Sequence, residues 1–367
     1  MANEIKRCEQ CIMTENIRGA TIGADGLCNF CRDHRPFVPH GEDKLLKILS
    51  TARRRHRSYD ALVPLSGGRD STYVLYLAVK KYGLNVLAYT YDNGFMSGLA
   101  RQNIQASLDH AGVDHIWVRH DSRLIKELYR VTLMQSGEIC GICGVGIERS
   151  MLKLSEAYKI PLILLGHTPN EANSFTSEDI YDQKRIKAIL ARSEKLDAQM
   201  LRRYLVYPGL NFINTYVYTK MGRFGKKVHI LYYLDNPTES EIGKIISMEM
   251  GWTEPDQSAY TRHFDCIAEP FTNYIRERRF GSSRRIPQLS NLVRNHEISR
   301  ETALKIEKAD ATQQLPAYYG EVLSALNLSD NDVENISRIP PGVFSQEKAL
   351  SNKIFTQVRK VLKKAEH

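Results

Sequence analysis

No run of about 18 apolar residues occurs in the 367-residue chain, so no segment has the length and composition of a membrane-crossing helix. The opening residues, MANEIKRCEQ, lack the apolar stretch of a secretory leader. Both absences lead to one expectation: a cytoplasmic protein with no membrane partner. The G-x-x-x-x-G-K-[ST] signature is also missing, which argues against γ-phosphate hydrolysis of the ordinary kind. Low-complexity segments and a clear internal repeat are absent, and 42% apolar content suits a globular core in one large or two moderate domains. Tryptophan is scarce. Trp117 and Trp252 are the only two, and each reads more simply as packing than as a stacking platform.

The formal charge is +9, spread through arginine-rich patches at 53–57, 276–279 and 284–285. Such patches suit solvated helix faces or a polyanionic partner such as tRNA, and the charge alone does not decide between them. Seven cysteines sort by spacing into four plus three. Cys8, Cys11, Cys28 and Cys31 form C-x2-C-x16-C-x2-C, which suits tetrahedral zinc rather than disulfides in a reducing compartment. Cys140, Cys143 and Cys266 remain: two in one CxxC, the third far downstream. Three cysteines can leave one iron of a four-iron cluster open, while buried structural thiols, a redox pair, or a second zinc site completed by His263 are alternatives.

Residues 1–35 read as a zinc-ribbon-like module too small for a core of its own, followed by a basic helical stretch from about Asp43 to Arg57. From Tyr59 strands alternate with helices: ALVPL, then TYVLYLAVKKYG; VLAYTYD, then SGLARQNIQASLDHAG; HIWVRH; a helix around Arg149–Tyr158; and PLILLGH. This pattern predicts an α/β fold, a doubly wound parallel sheet with ligands at the strand carboxyl ends. The alternation lapses after about Asn173. An insertion over about 175–227 is expected, with a helix in KAILARSEKLDAQMLRRYL, before a last strand-like run, HILYYLD. Thr238 then opens a T-x-x-E capping box. The main domain is assigned to 36–265 and a helical C-terminal region to 266–367.

Ser66-Gly67-Gly68-Arg69-Asp70-Ser71 lies between a buried-looking strand and a helix, the context of an anion-binding loop. Two glycines permit close backbone approach, the helix start adds about half a positive charge, and the two serines can donate to phosphate oxygens. Asp92-Asn93-Gly94 ends the second strand, and Gly166-His167-Thr168-Pro169-Asn170-Glu171-Ala172 follows PLILL.

These motifs resemble the PP-loop of the adenine nucleotide alpha hydrolase superfamily, whose SGGxDS loop serves cleavage of ATP between its α and β phosphates. The resemblance implies nucleotide contacts by Ser66, Gly67, Gly68, Arg69, Asp70, Ser71, Asp92 and Gly166, with Asp70, Glu171 and His167 in catalytic roles and magnesium beside ATP. Arg69 stands where most relatives have lysine, and Asn170 where several have aspartate. Over nearly its full length the chain is similar to the N-acetyl sugar amidotransferases. That similarity rests on RCEQCIM with GLCNFC, PLSGGRDSTYVLYLA, YTYDNGF, IPLILLGHTPNE, YYLDNPTESEIGKIISMEMGW and ISRETALKIE. It implies conversion of an acetamido to an acetamidino group on a nucleotide-activated sugar. A glutaminase subunit would then supply ammonia, since the chain has no G-x-C-x-G elbow and no cysteine after its initiator methionine. The three later cysteines, together with the amino-terminal four, resemble instead the iron-sulfur PP-loop thiolases of tRNA. That alternative implies a [4Fe-4S] cluster on Cys140, Cys143 and Cys266 and sulfur as the incoming atom.

Overall fold

The computed structural model describes residues 5–17, 19–53, 58–169, 183–193, 212–255, 264–281, 285–311 and 315–340, with residues 196, 199, 204 and 283 besides. Five strands form one parallel sheet: β1 (Ala61–Pro64), β2 (Val86–Asp92), β3 (Asp114–Arg119), β4 (Leu162–Leu165) and β5 (Lys226–His229). Their order is β3-β2-β1-β4-β5, so the chain reverses its winding between β1 and β4. At such a switch point the loops leaving the strands diverge and open a crevice for ligand.

The helices in chain order are α1 (Asn29–Arg32), α2 (Glu42–Arg53), α3 (Arg69–Tyr76), α4 (Gly98–Ala111), α5 (Ser122–Ser136), α6 (Cys140–Ala157) and α7 (Gln183–Leu190). After them come α8 (Phe212–Lys220), α9 (Glu239–Met250), α10 (Glu269–Phe280), α11 (Arg285–Arg294), α12 (Arg300–Ala311), α13 (Tyr319–Leu326) and α14 (Asp330–Ser337). Strand alternation shows which helices pack on which face. Ala61, Val63, Val86, Leu162 and Leu164 join one core with Leu45 of α2, Val74 of α3 and Ile242 and Ile246 of α9. Leu62, Leu87, Tyr89, Ile163 and Leu165 point the other way, toward Met151 and Leu152 of α6. The sheet is doubly wound, as its sequence pattern predicts.

Two further cores lie away from the sheet. Ile125, Leu128 and Tyr129 of α5 pack with Ile142 of α6, Phe271 and Ile275 of α10, and Val322 and Val333 from α13 and α14. Cys8, Ile12, Met13, Cys28 and Cys31 pack with Ile286, Leu289, Leu292 and Ala303. The amino-terminal cysteine module therefore shares its core with α11 and α12, more than 250 residues downstream.

Two local expectations are corrected. HILYYLD is not a strand: β5 ends at His229, and Ile230–Tyr233 turn as a 3-10 helix. The buried residues Ile230, Leu231 and Leu234 fall at helical spacing rather than alternating. The helix expected around Arg149–Tyr158 begins earlier, with Cys140 and Cys143 in its first turn, because Ile139, Ile142 and Val145 give GEICGICGVG a buried stripe at i, i+3, i+6. Of the helix expected at 187–205, the first residues belong to Gln183–Leu190, which closes in a turn through Ser193, and most of the remainder lies outside the described residues. The capping box at Thr238 forms as expected, with Glu241 completing it.

Candidate active site

The turn from β1 into α3 sits at the switch point. Gly67 has φ +80°, and a Cβ there would lie 2.3 Å from the Ala100 carbonyl oxygen of α4, so only glycine fits. The Gly67 carbonyl accepts from Trp252 Nε1 at 3.0 Å and from Asn103 Nδ2 at 3.4 Å. In a trans peptide the carbonyl and the next N–H point in opposite directions. Holding the Gly67 carbonyl against buried Trp252 therefore turns the Gly68 N–H the other way, 3.3 Å from Ser66 Oγ. Ser66 and Ser71 approach each other at 3.2 Å between hydroxyls, and Ser71 Oγ donates to the Gly68 carbonyl at 3.0 Å. Gly68 caps α3 without a side chain, which leaves the positive end of that helix directed at the loop.

Arg69, in the first turn of α3, pairs with Glu239 Oε2 at 2.6 Å, both side chains being largely buried. Asp70 is more open, with 36% of its side chain exposed and its Oδ1 3.9 Å from Arg69 Nε. Gly166, leaving β4, packs on the same turn: a Cβ there would meet the Asp70 carbonyl oxygen at 3.1 Å. His167 is exposed beside it, and its ring lies 5.4 Å from that of His229 at the end of β5. The structure thus brings Ser66–Ser71, Gly166 and His167 to one crevice. Asn170, Glu171 and His263 lie outside the described residues.

Asp92 ends β2 with its carboxylate buried. It accepts from Gly94 N at 3.0 Å, from Arg101 Nη2 at 3.2 Å, and from Arg119. Burial pushes this carboxyl up, but the bonds from Arg119, Gly94 and Arg101 outweigh it and hold the group below the ordinary aspartate value. Its neighbour Asn93 faces away from the loop. Asn93 Nδ2 lies 3.5 Å from Cys266 Sγ and 3.8 Å from Cys143 Sγ. Cys266 reaches this place because residues 95–97 run antiparallel to 265–267, with Met96 bridged to Cys266, Ser97 N donating to Asp265 O and Ile267 N to Phe95 O. Burial pushes the Cys143 thiol up to about 11, with Asn93 opposing. Burial, with Cys143, Asp265 and Cys140 nearby, also pushes Cys266 up.

The other four cysteines are compact. All four sulfurs of Cys8, Cys11, Cys28 and Cys31 lie within 4.8 Å of one another, with Cys8–Cys31 at 3.8 Å and Cys11–Cys28 at 3.7 Å. A tetrahedron with metal–sulfur bonds of about 2.3 Å has edges of about 3.8 Å, so the set fits a single tetrahedral ion. Thiols of Cys28 and Cys31 hydrogen-bonding to Cys11 pull its value down, while that of Cys28 rises to about 11. Arg300 donates to the carbonyls of Cys11 and Cys8, and buried Arg294 lies 3.8 Å from Cys11 Sγ. A cation there offsets the negative charge of a four-thiolate site.

Sequence reasoning missed several of these side chains. Asn103, Trp252 and Glu239, which shape the loop, come from two other helices and the end of one. No spacing rule links them to Gly67 or Arg69. Asn93 stood in view within the DNG turn, but nothing local shows which way its amide points.

Comparison with known proteins adds the following. Residues 257–358 match the model for LPS biosynthesis protein WbpG-like, C-terminal domain. A 166-residue stretch is 24% identical to uncharacterized protein MJ1599 of Methanocaldococcus jannaschii, covering 44% of this chain and 58% of that protein. An 87-residue stretch is 30% identical to the glutamine-hydrolyzing GMP synthase of Pyrobaculum aerophilum, covering 24% of this chain and 17% of the synthase. The chain thus spans less than two thirds of either relative. Among solved structures, the U34-tRNA thiolase NcsA from Methanococcus maripaludis with its [4Fe-4S] cluster aligns over 85% of this chain and 90% of its own, at 15% identity and TM-score 0.36. NMN synthetase from Francisella tularensis aligns over 58% of this chain and 86% of its own, at 15% identity and TM-score 0.30. Structural likeness this loose carries no argument about the present chain.

Proposed function

We propose that the chain is a PP-loop ATP pyrophosphatase that adenylates the amide oxygen of an N-acetyl group on a nucleotide-activated sugar. Nitrogen then replaces that oxygen. The observation that carries the reading is the Ser66–Ser71 loop at the β1/β4 switch point, with its Gly67 carbonyl held inward and α3 directed at it. That geometry suits a departing pyrophosphate: the Gly68 amide, the Ser66 and Ser71 hydroxyls and the helix end meet the charge that develops. Arg69, oriented by Glu239, adds a fixed cation beside the loop.

The substrate amide oxygen attacks the ATP α-phosphorus and pyrophosphate leaves, forming an O-adenylated imidate. Ammonia adds to the imidate carbon, the added nitrogen gives up a proton, and AMP departs with the oxygen, leaving the amidine as its amidinium cation. Asp70 and Glu171 would hold magnesium, and His167 would polarise the substrate. The match of residues 257–358 to a model named for LPS biosynthesis proteins supports a sugar substrate. A separate glutaminase subunit would deliver the ammonia, and zinc would occupy the four amino-terminal cysteines as a structural ion.

A second reading, sulfur transfer to tRNA or a small molecule, is supported by the convergence of Cys143 and Cys266 on Asn93. A cluster on Cys140, Cys143 and Cys266 would supply sulfur-handling chemistry there. Incubation with ATP, an ammonium salt and a panel of nucleotide-linked N-acetyl sugars tests the first reading. AMP and pyrophosphate should form only when a sugar is present. Formation with unmodified tRNA and sulfide under anaerobic conditions, and not with sugars, would replace it with the second.

A further inference from the structure

The orientation of the Asn93 amide is fixed by its neighbours. Phe95 N donates to Asn93 Oδ1 at 2.8 Å, a bond only the oxygen can accept, so the NH2 group must face the sulfurs of Cys266 and Cys143. Both amide hydrogens are thereby directed at thiols that belong to segments 123 residues apart. The backbone does not need those two bonds. The turn is already held by Asp92 Oδ1 on Gly94 N, and its pairing with 265–267 by the Ser97–Asp265 and Ile267–Phe95 bonds.

A second observation points to the same place. Tyr129 lies beside Cys143, 1% exposed, and its hydroxyl acts on that thiol together with the Asn93 amide, both opposing the effect of burial. The donor set also separates the two cysteine groups. The amino-terminal four touch one another, as a single ion requires, whereas Cys140, Cys143 and Cys266 form no such compact group. Three thiols brought from two segments are a donor set that suits an iron-sulfur cluster.

We propose that Asn93 is a positioning residue for this second cysteine site. It donates to the thiolates of Cys143 and Cys266 and raises the reduction potential of the iron-sulfur cluster they hold with Cys140. The proposal rests on the three cysteines binding a cluster, as considered above. Donors to cluster sulfurs favour the more negative, reduced state, so removing them lowers the potential.

The test is anaerobic reconstitution of the full chain with iron and sulfide, followed by redox titration monitored by electron paramagnetic resonance. Wild type is compared with Asn93→Leu, which removes both donors at similar volume. Asn93→Asp is the second variant, because it keeps the oxygen that accepts from Phe95 and so preserves the turn. The expected result is a potential more negative than wild type in whichever variants retain native circular dichroism, with faster bleaching of the cluster in air. Iron loading with unchanged potential and bleaching in Asn93→Asp overturns the role of Asn93 and leaves the cluster standing. A wild-type chain that takes up no iron and sulfide overturns both.

Discussion

Trp252 donates its indole N–H to the carbonyl of Gly67 at 3.0 Å across 185 residues of sequence. Trp252 follows the end of α9 and packs in the same core as β1 and α3, so the segment that closes one side of the sheet also sets the peptide orientation of the loop. Replacing Trp252 by Phe keeps the ring and removes the donor. Leaving a buried carbonyl with only the longer Asn103 contact should cost about 1–3 kcal/mol in denaturant unfolding. Pyrophosphate release should fall by more than the stability loss explains, because the Gly68 N–H is no longer held in place.

Gly67→Ala tests the loop from within. The left-handed conformation alone costs an L-residue about 1–2 kcal/mol. The new methyl would also lie 2.3 Å from the Ala100 carbonyl oxygen, which is backbone and cannot swing aside. Thermal melting should show a loss above about 2 kcal/mol, and nucleotide binding measured by calorimetry should be lost. Wild-type affinity in this variant would contradict the assigned geometry.

The sequence was most informative where structure is local. VLAYTYD matches β2 residue for residue, SGLARQNIQASLDHAG brackets α4, and Thr238 begins a capped helix, because apolar β-branched and aromatic runs, glycine stops and capping boxes are short-range signals. Failures came where tertiary burial chose among local options, as in the 3-10 turn at Ile230–Tyr233 and the helical start at Cys140. The loop SGGRDS was visible as a candidate, but its supports were not. Glu239, Asn103 and Trp252 reach it only through the packing of α4 and α9 on α3. Likewise CxxC spacing exposed the four-cysteine set, while its union with α11 and α12 depends on contacts no pattern records.

His115 gives a pH prediction. Burial depresses its value to about 4, and its Nε2 lies 2.9 Å from Thr90 Oγ1, which in turn donates to the Leu65 carbonyl just before the loop. Between the unfolded value of about 6.5 and the folded value, the unfolded chain holds a proton that the folded chain does not. This contribution to stability is therefore present in full above about 6.5 and is lost as pH falls toward 4. Unfolding free energies measured across that window should decline less steeply in His115→Gln than in wild type.

Metal removal should act at a distance. Because Cys8, Cys11, Cys28 and Cys31 share a core with Ile286, Leu289 and Ala303, removing the metal ion proposed for them should loosen 8–31 and 286–306 together. Structural zinc sites contribute apparent binding free energies of about 10–16 kcal/mol in small domains, far more than so small a core can replace. Hydrogen exchange after chelation, or in Cys11→Ser, should show lost protection in 8–31 and 286–306 while β2 stays protected. Loss confined to the first segment would refute the shared core.

The central claim is that the Ser66–Ser71 loop serves cleavage of ATP between its α and β phosphates. The most direct measurement follows ATP labelled at the α and γ positions during turnover with the sugar panel and ammonium, in wild type and in Ser71→Ala. Equal amounts of AMP and pyrophosphate from wild type, reduced at least tenfold in the variant at unchanged circular dichroism, is the predicted result. ADP and inorganic phosphate as products, or undiminished pyrophosphate from Ser71→Ala, would contradict the account.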